Sequence, residues 1–172
     1  MQEQNKLVRF EQAVLPHLDA AYNLARWLVR NDADAEDLAQ EAFLRAFKFF
    51  GGFHGGNSRA WLLTIVRNTC YTWLQQNRAH EPSTHFDEEL HSVRDANPET
   101  ILLESVDRQM LGRALEELPV EFREVVILRE LEGLSYKEIA NIADVPVGTV
   151  MSRLARARKR LQLCLTGSRE DV

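Results

Sequence analysis

An all-α fold is predicted for this 172-residue chain by three observations. Apolar residues recur every three or four positions over most of its length, no stretch sustains a period-two alternation, and no Asn-Gly or Asp-Gly pair marks a hairpin. The distribution of helix breakers and acidic residues then divides it into two small helical domains, residues 1–79 and 98–172, joined by a flexible acidic linker over 80–97. The second domain carries the pattern of a helix-turn-helix.

Each element has its own justification. Val14, Leu18, Ala21, Ala25 and Leu28 form one apolar stripe, and Pro16 within it calls for a first-turn position or a kink. The sequence NDAD supplies capping side chains for a second helix, whose inward row is Ala35, Leu38, Ala42 and Ala46. FFGGFHGGNS, with four glycines, breaks that helix. Ser58 is then placed to cap a third, carrying Trp61, Ile65, Thr69 and Trp73 along one side. Phe43, Phe47, Phe49, Phe50 and Phe53 are expected to pack within and between these helices rather than to form a base-stacking platform.

Beyond the linker, Asn97 followed by Pro98 reads as a cap and first helical residue. Ile101, Val106, Met110, Ala114 and Leu118 then fit one helix ended by Pro119. A further helix, from about Val120 to Glu132, carries Phe122, Val125, Leu128 and Leu131, with Gly133 at its C-terminal end. Ser135 and Glu138 have capping-box spacing, so a short helix should start at Tyr136, with Ile139, Ala140 and Ala143 facing inward. Pro146 ends it by disfavouring helical geometry at Val145. A last helix should begin near Val147 or Gly148, burying Val150, Leu154, Ala157 and Leu161.

A short helix, a tight turn and a longer helix with a basic, hydroxylic face match a unit whose second helix enters the major groove of DNA. Thr149 and Ser152 lie at the N-terminal end of that helix, where side chains reach base edges, and Arg153 has the fork that binds guanine in bidentate fashion. Arg156, Arg158, Lys159 and Arg160 follow and are expected to meet phosphates. The plainer reading, a solvated helix whose basic end complements its own dipole, stands beside this one.

Net charge is −5, but the excess acidity is local. Lys and Arg against Asp and Glu number 9 to 8 in residues 1–80, 1 to 7 in 81–105 and 11 to 11 in 106–172. Overall acidity therefore does not exclude nucleic acid, since phosphates respond to the local face. No apolar run approaches the roughly 20 residues that cross a bilayer, and MQEQNKLVRF lacks the plan of a signal peptide. A cytoplasmic location is expected. Cys70 and Cys164 are far apart with no CxxC spacing, so buried or half-buried free thiols are expected, with a redox switch as the alternative.

The residues also resemble a known family, the sigma factors of bacterial RNA polymerase and specifically their small extracytoplasmic-function (ECF) group. LSYKEIANIADVPVGTVMSRLARARKRL is similar to the C-terminal sigma domain that reads the −35 promoter element, and ALEELPVEFREVVILRELEGLSY to its leading helices. DAEDLAQEAFLRAFKFF resembles the helix that docks on the polymerase clamp. RAWLLTIVRNTCYTWLQQNR resembles the helix that reads and opens the −10 element.

The resemblance implies that Asp37, Gln40, Glu41 and Leu44 contribute to core polymerase binding. It also implies that Asn57, Arg67, Asn68 and Thr69 serve −10 recognition, with Asn68 near a captured base and residues Gly51 to Asn57 as a specificity loop. Arg67, Asn68 and Thr69 offer a cation, an amide and a hydroxyl in succession, as capture of unstacked bases requires. Three departures from the family pattern stand out: the loop from Gly51 to Asn57 is about one residue shorter and carries the consecutive glycines Gly55 and Gly56, Asp144 occupies a turn position often held by glycine, and Met151 one often held by a polar residue.

The expected function is an alternative sigma factor that directs core RNA polymerase to promoter DNA and catalyses no covalent reaction. The resemblance further implies an anti-sigma factor partner, often membrane-anchored. No cofactor, metal or small-molecule substrate is implied. The acidic residues Asp87, Glu88 and Glu89 either mimic nucleic acid along the polymerase or only keep the linker solvated. The competing reading is a helix-turn-helix transcription activator with a helical sensory domain. A hydrolase is disfavoured: His17, His54, His80, His85 and His91 show no HExxH spacing, and no GxSxG elbow or phosphate-binding glycine loop is present.

Overall fold

The computed structural model describes residues 1–77 and 103–170, and among these every regular element is helical. The linker and the Asn97-Pro98 cap fall outside the described residues. So do Ile101 and the side chain of Val106.

Pro16 divides the first predicted helix in two. α1 (Gln2–Val14) buries Phe10 and Val14, a 3₁₀ turn (Leu15–His17) accommodates the proline, and α2 (Leu18–Val29) follows. The missing amide of proline is harmless at the first turn of a helix and disruptive inside one. Ala21, Leu24, Ala25, Leu28 and Val29 form the buried face of α2, while Leu18, expected inside, is 39% exposed. α2 ends at Arg30, in left-handed geometry with φ 62°.

Asn31 caps α3 (Asp32–Phe49), its side-chain oxygen accepting the Asp34 N–H at 3.0 Å. Ala35, Leu38, Ala42 and Ala46 are buried as expected. Their small size lets α3 lie close against α2 and α4 (Ser58–Asn77), so these three helices form the main packing unit of the first half.

The loop between α3 and α4 turns at Gly55 and Gly56, with φ of 93° and 95°, a region that favours glycine. Its base is held by aromatic rings: Phe50 meets Phe10 at 5.4 Å between centroids and Phe53 at 5.7 Å, and Phe53 meets Trp61 at 5.1 Å. The five phenylalanines do not all turn inward, because Phe49 is 58% exposed and Phe47 37%. On α4 the buried row is Leu62, Leu63, Val66, Thr69 and Cys70, out of phase with the predicted Trp61-Ile65-Thr69-Trp73 row. Asn57 rather than Ser58 caps the helix, its side-chain oxygen accepting the Ala60 N–H at 3.1 Å.

In the second half, α5 (Leu103–Glu117) is followed by α6 (Val120–Val126), which widens into a π turn over Ile127–Leu131. The widening rotates Leu131 outward, to 58% exposure, against the expected inward row. Gly133, at φ 66°, reverses the chain. α7 (Tyr136–Ala143) and α8 (Val147–Glu170) complete the unit.

The two halves dock on each other. α7 packs on α4 and α6 on α2, and the buried side chains of both halves belong to one core. Arg123 on α6 is 3% exposed and reaches across the boundary: it donates to the Trp27 and Leu28 carbonyls at the C-terminal end of α2, and to the Leu118 carbonyl at 2.7 Å. A helix C-terminus presents carbonyls without intrahelical partners and a partial negative charge, so a buried guanidinium satisfies both. Arg123→Met would strip these carbonyls of donors, with an expected loss of about 3 kcal/mol in unfolding free energy. Urea denaturation checks this, and a loss below about 0.5 kcal/mol would show that the contact carries little stability.

Candidate nucleic-acid interface

The helix-turn-helix follows from three local causes. The Ser135 hydroxyl accepts the Glu138 N–H at 3.1 Å and the Glu138 carboxylate accepts the Ser135 N–H at 3.1 Å, so the capping box at the start of α7 is complete. Asp144 ends the helix in left-handed geometry at φ 55°, taking the place of a glycine as aspartate is able to do. Val145 donates its N–H back to the Ala140 carbonyl at 3.1 Å, and Pro146 then starts α8.

Val150, Leu154 and Ala157 are buried and Leu161 is half-buried, which sets the rotation of α8. With roughly 100° of rotation per residue, Thr149, Ser152, Arg153, Arg156, Lys159 and Arg160 fall on the side away from this stripe. Ser152, Arg156, Lys159 and Arg160 are exposed, and Thr149 and Arg153 half-buried. The Ser152 hydroxyl donates to the Thr149 carbonyl at 3.1 Å, and the Arg160 guanidinium lies 4.9 Å from the centre of the Phe122 ring.

Arg158, also expected to meet phosphates, is exposed. It projects from the other side of α8 and pairs with Glu130 at 2.8 Å, an exposed bridge. Met151 is exposed, at 53%, on the same side of α8 as Arg158.

On α3, Asp37, Gln40, Glu41 and Leu44 are all exposed and, at intervals of three and four residues, share one face. Leu44 is 73% exposed, a large apolar side chain amid polar ones. Glu41 accepts a bridge from Arg45 at 2.8 Å. Cys70 is buried, and burial followed by the charge of Glu41 pushes its thiol up to about 12, which leaves it protonated and inert. Cys164 is exposed, contrary to the expected buried or half-buried thiol.

The third group of residues is divided. Thr69 is 2% exposed and its hydroxyl donates to the Ile65 carbonyl of its own helix at 2.7 Å, so it faces the core and not a ligand. The error has a simple source: residues 67 to 69 are consecutive, and consecutive helical positions point in different directions.

Asn68 is exposed. Arg67 and Asn57 both meet carboxylates from the second half of the chain. Arg67 donates to Glu124 at 2.6 Å and lies 3.8 Å from the centre of the Tyr71 ring, and the Tyr71 hydroxyl donates to Glu124 at 2.8 Å. Asn57 donates to Glu138. Burial opposes the charge on Arg67, but the charge and hydrogen bond of Glu124 outweigh it and hold the guanidinium above its ordinary value. Burial, then the charge of Glu124, pushes the Tyr71 phenol up. Glu124 itself is fully buried and was missed from sequence, where it stands in the unremarkable run EFREVV.

Residues 13–80 match the family described as Sigma-70 region 2, and residues 108–161 the family Sigma-70, region 4. Over 137 residues the chain is 39% identical to the ECF RNA polymerase sigma-E factor of Escherichia coli, covering 74% of this chain and 72% of that protein. This chain belongs to the ECF sigma factors. Relative to the ECF RNA polymerase sigma factor SigE of Mycolicibacterium smegmatis, this sigma factor is 36% identical over 161 residues, 93% of its own length but only 63% of the relative's.

Among solved structures, the sigma factor RpoE of Bartonella quintana, crystallised with the anti-sigma factor NepR, is similar at a TM-score of 0.72 and 32% identity. That likeness covers 92% of this chain and 97% of the other. CnrH, solved with the cytosolic domain of CnrY, shares the fold at a TM-score of 0.65 and 23% identity, over 92% and 88% of the two chains. In this sigma factor the region 2 match takes in α2, α3 and α4, and the region 4 match runs from within α5 into α8.

Two expectations follow for the capping box. Ser135→Ala should lower stability by about 1 kcal/mol, measured by urea unfolding. The Ser135 backbone N–H, then its hydroxyl, hold the Glu138 carboxyl below its ordinary value of 4.5. A lowered folded-state value stabilises above the ordinary value, and the gain is lost as pH falls through the lowered one. The difference in thermal midpoint between wild type and Glu138→Gln should therefore close as pH drops from about 6 to about 3. A gap that stays constant over that range would remove Glu138 from the capping role.

Proposed function

We propose that this chain is an alternative sigma factor that brings core RNA polymerase to promoters, recognises their −10 and −35 elements and catalyses no covalent reaction. The observation that carries the reading is the pairing of a region 2 unit with a region 4 unit whose last helix keeps an exposed row of Thr149, Ser152, Arg153, Arg156, Lys159 and Arg160. Thr149, Ser152 and Arg153 read base edges at the −35 element, and Arg156, Lys159 and Arg160 hold phosphates. Arg158 joins them by exchanging its exposed bridge to Glu130 for a phosphate.

Core polymerase is bound by the exposed face of α3, through Asp37, Gln40, Glu41 and Leu44. What supports this is the resemblance of DAEDLAQEAFLRAFKFF to the clamp-docking helix, with Leu44 as an apolar centre and the polar residues as its rim. At the −10 element, Asn57, Arg67 and Asn68 supply amides and a cation, with Thr69 excluded by its burial. The protein acts in the cytoplasm, where core polymerase is, and no helix among the described residues is long and apolar enough to cross a membrane. An anti-sigma factor is the natural regulatory partner, since RpoE of Bartonella quintana was crystallised with one. The two domains are residues 1–79 and 98–172.

Run-off transcription with purified core polymerase and a promoter library tests the reading. New start sites should appear only when this protein is added. Neither start sites nor binding to core would leave the helix-turn-helix activator, which binds duplex DNA tightly on its own, as the better account. Arg153→Ala should lower initiation at −35-dependent promoters by about 10-fold or more, the worth of one bidentate base contact, while core binding measured by gel filtration stays at wild type. Equal loss of both would remove Arg153 from base recognition.

A further inference from the structure

The first turns of α8 expose more apolar surface than the fold uses. Val147 is 40% exposed, Met151 53% exposed, and Ala155, one turn further on, is exposed as well. At roughly 100° per residue, neighbours in this series differ by about 40° of rotation, so the three side chains form one ridge along the helix. The core takes nothing from it, because Val150, Leu154 and Ala157 already fill the buried side. Beside the ridge, a Cβ at Gly148 would have open space around it.

A single apolar side chain on a surface is ordinary. Three in register on the helix assigned to the major groove stand where base edges are read. The ridge adjoins the polar row, since Ala155 follows Ser152 by three residues, about 60° around the helix. Arg156, Arg158 and Lys159, all exposed, come after it, so an apolar segment precedes a cationic one on the same helix.

Of the four bases only thymine offers an apolar group in the major groove, its C5-methyl. The polar edge of guanine, adenine or cytosine set against this ridge would lose water and gain no hydrogen bond in return. A thymine methyl has no such bonds to lose, and it exchanges water for the Met151 side chain and the Ala155 methyl. Methionine is unbranched and adaptable, so its end can follow the position of that methyl.

We propose that the Val147-Met151-Ala155 ridge reads thymine methyl groups, so that this protein selects −35 elements carrying a thymine opposite Met151 and Ala155. The inference rests on the assignment of α8 to the −35 element. Arg156, Arg158, Lys159 and Arg160 supply the grip through phosphates, which is independent of sequence. The ridge therefore governs which promoters are chosen more than how tightly DNA is held.

The test uses the full-length protein with core polymerase and promoters selected in the run-off assay. Their −35 elements should share a T·A pair. Deoxyuridine in place of that thymine removes the methyl and leaves every hydrogen-bonding group unchanged. Initiation by wild type should then fall about fourfold, the worth of one buried methyl-sized group. The deoxyuridine effect should shrink in Met151→Ser and vanish in the double variant Met151→Ser, Ala155→Ser. Both positions are exposed, and circular dichroism should show the helices intact.

The proposal is overturned by selected promoters without a shared T·A pair, by full activity of wild type on the deoxyuridine templates, or by a loss that persists undiminished in the double variant. Thr149 also carries a methyl group, and an effect abolished by Thr149→Ser but kept in the double variant would assign the contact to Thr149 instead, overturning the role of the ridge. Failure of the sigma reading is seen separately, as the absence of start sites even on templates with every thymine in place.

Discussion

Two neighbouring residues of opposite charge, Arg123 and Glu124, are both buried on α6, and both are directed at the first half of the chain. Burying either charge in an apolar core would be prohibitive alone, at several kcal/mol for each ion even after relaxation. Each is tolerated because it has partners: Arg123 donates to the α2 carbonyls and also to those of Glu116 and Leu118 in its own half, while Arg67 and Tyr71 from the other half donate to Glu124. The docked arrangement is thus a condition for these two residues to be where they are. The apolar contacts of α7 on α4 fill the remaining space between the halves.

The same economy explains why the two halves keep separate identities. Within each half the packing is chiefly apolar, with the alanines of α3 against α2 and α4, and Val125, Ile139, Ile142 and Leu154 among α6, α7 and α8. Between them, specificity comes from a few donors and acceptors that water could also satisfy once exposed. Because the buried side chains of the two halves form one core, separating them uncovers apolar surface as well as Arg123 and Glu124.

Much of this was readable from sequence where the cause is local. The capping box, the left-handed Asp144 and the Val150-Leu154-Ala157 stripe depend on residues within a turn or two, and they stand as expected. The face of α3 was equally plain, since its alanines leave only one side to water. Expectation failed on α4, where apolar residues occur on nearly every face and the tryptophans drew the stripe away from Leu62, Leu63 and Val66. It failed again at Asn57 and Ser58, two adjacent residues both competent to cap. Glu124 lay beyond reach altogether, because a charged residue in a helix looks solvated until a partner 57 positions away is brought against it.

Arg123 has one further consequence. It grips α2 through main-chain carbonyls, which every residue possesses, and so takes no notice of which side chains occupy positions 27 and 28. Glu124 by contrast requires a guanidinium and a phenol at fixed places. The boundary between the halves therefore combines a generic handhold with a keyed one. Segments could be exchanged between proteins at the end of α2 with docking preserved, whereas an exchange of α4 would carry the lock with it.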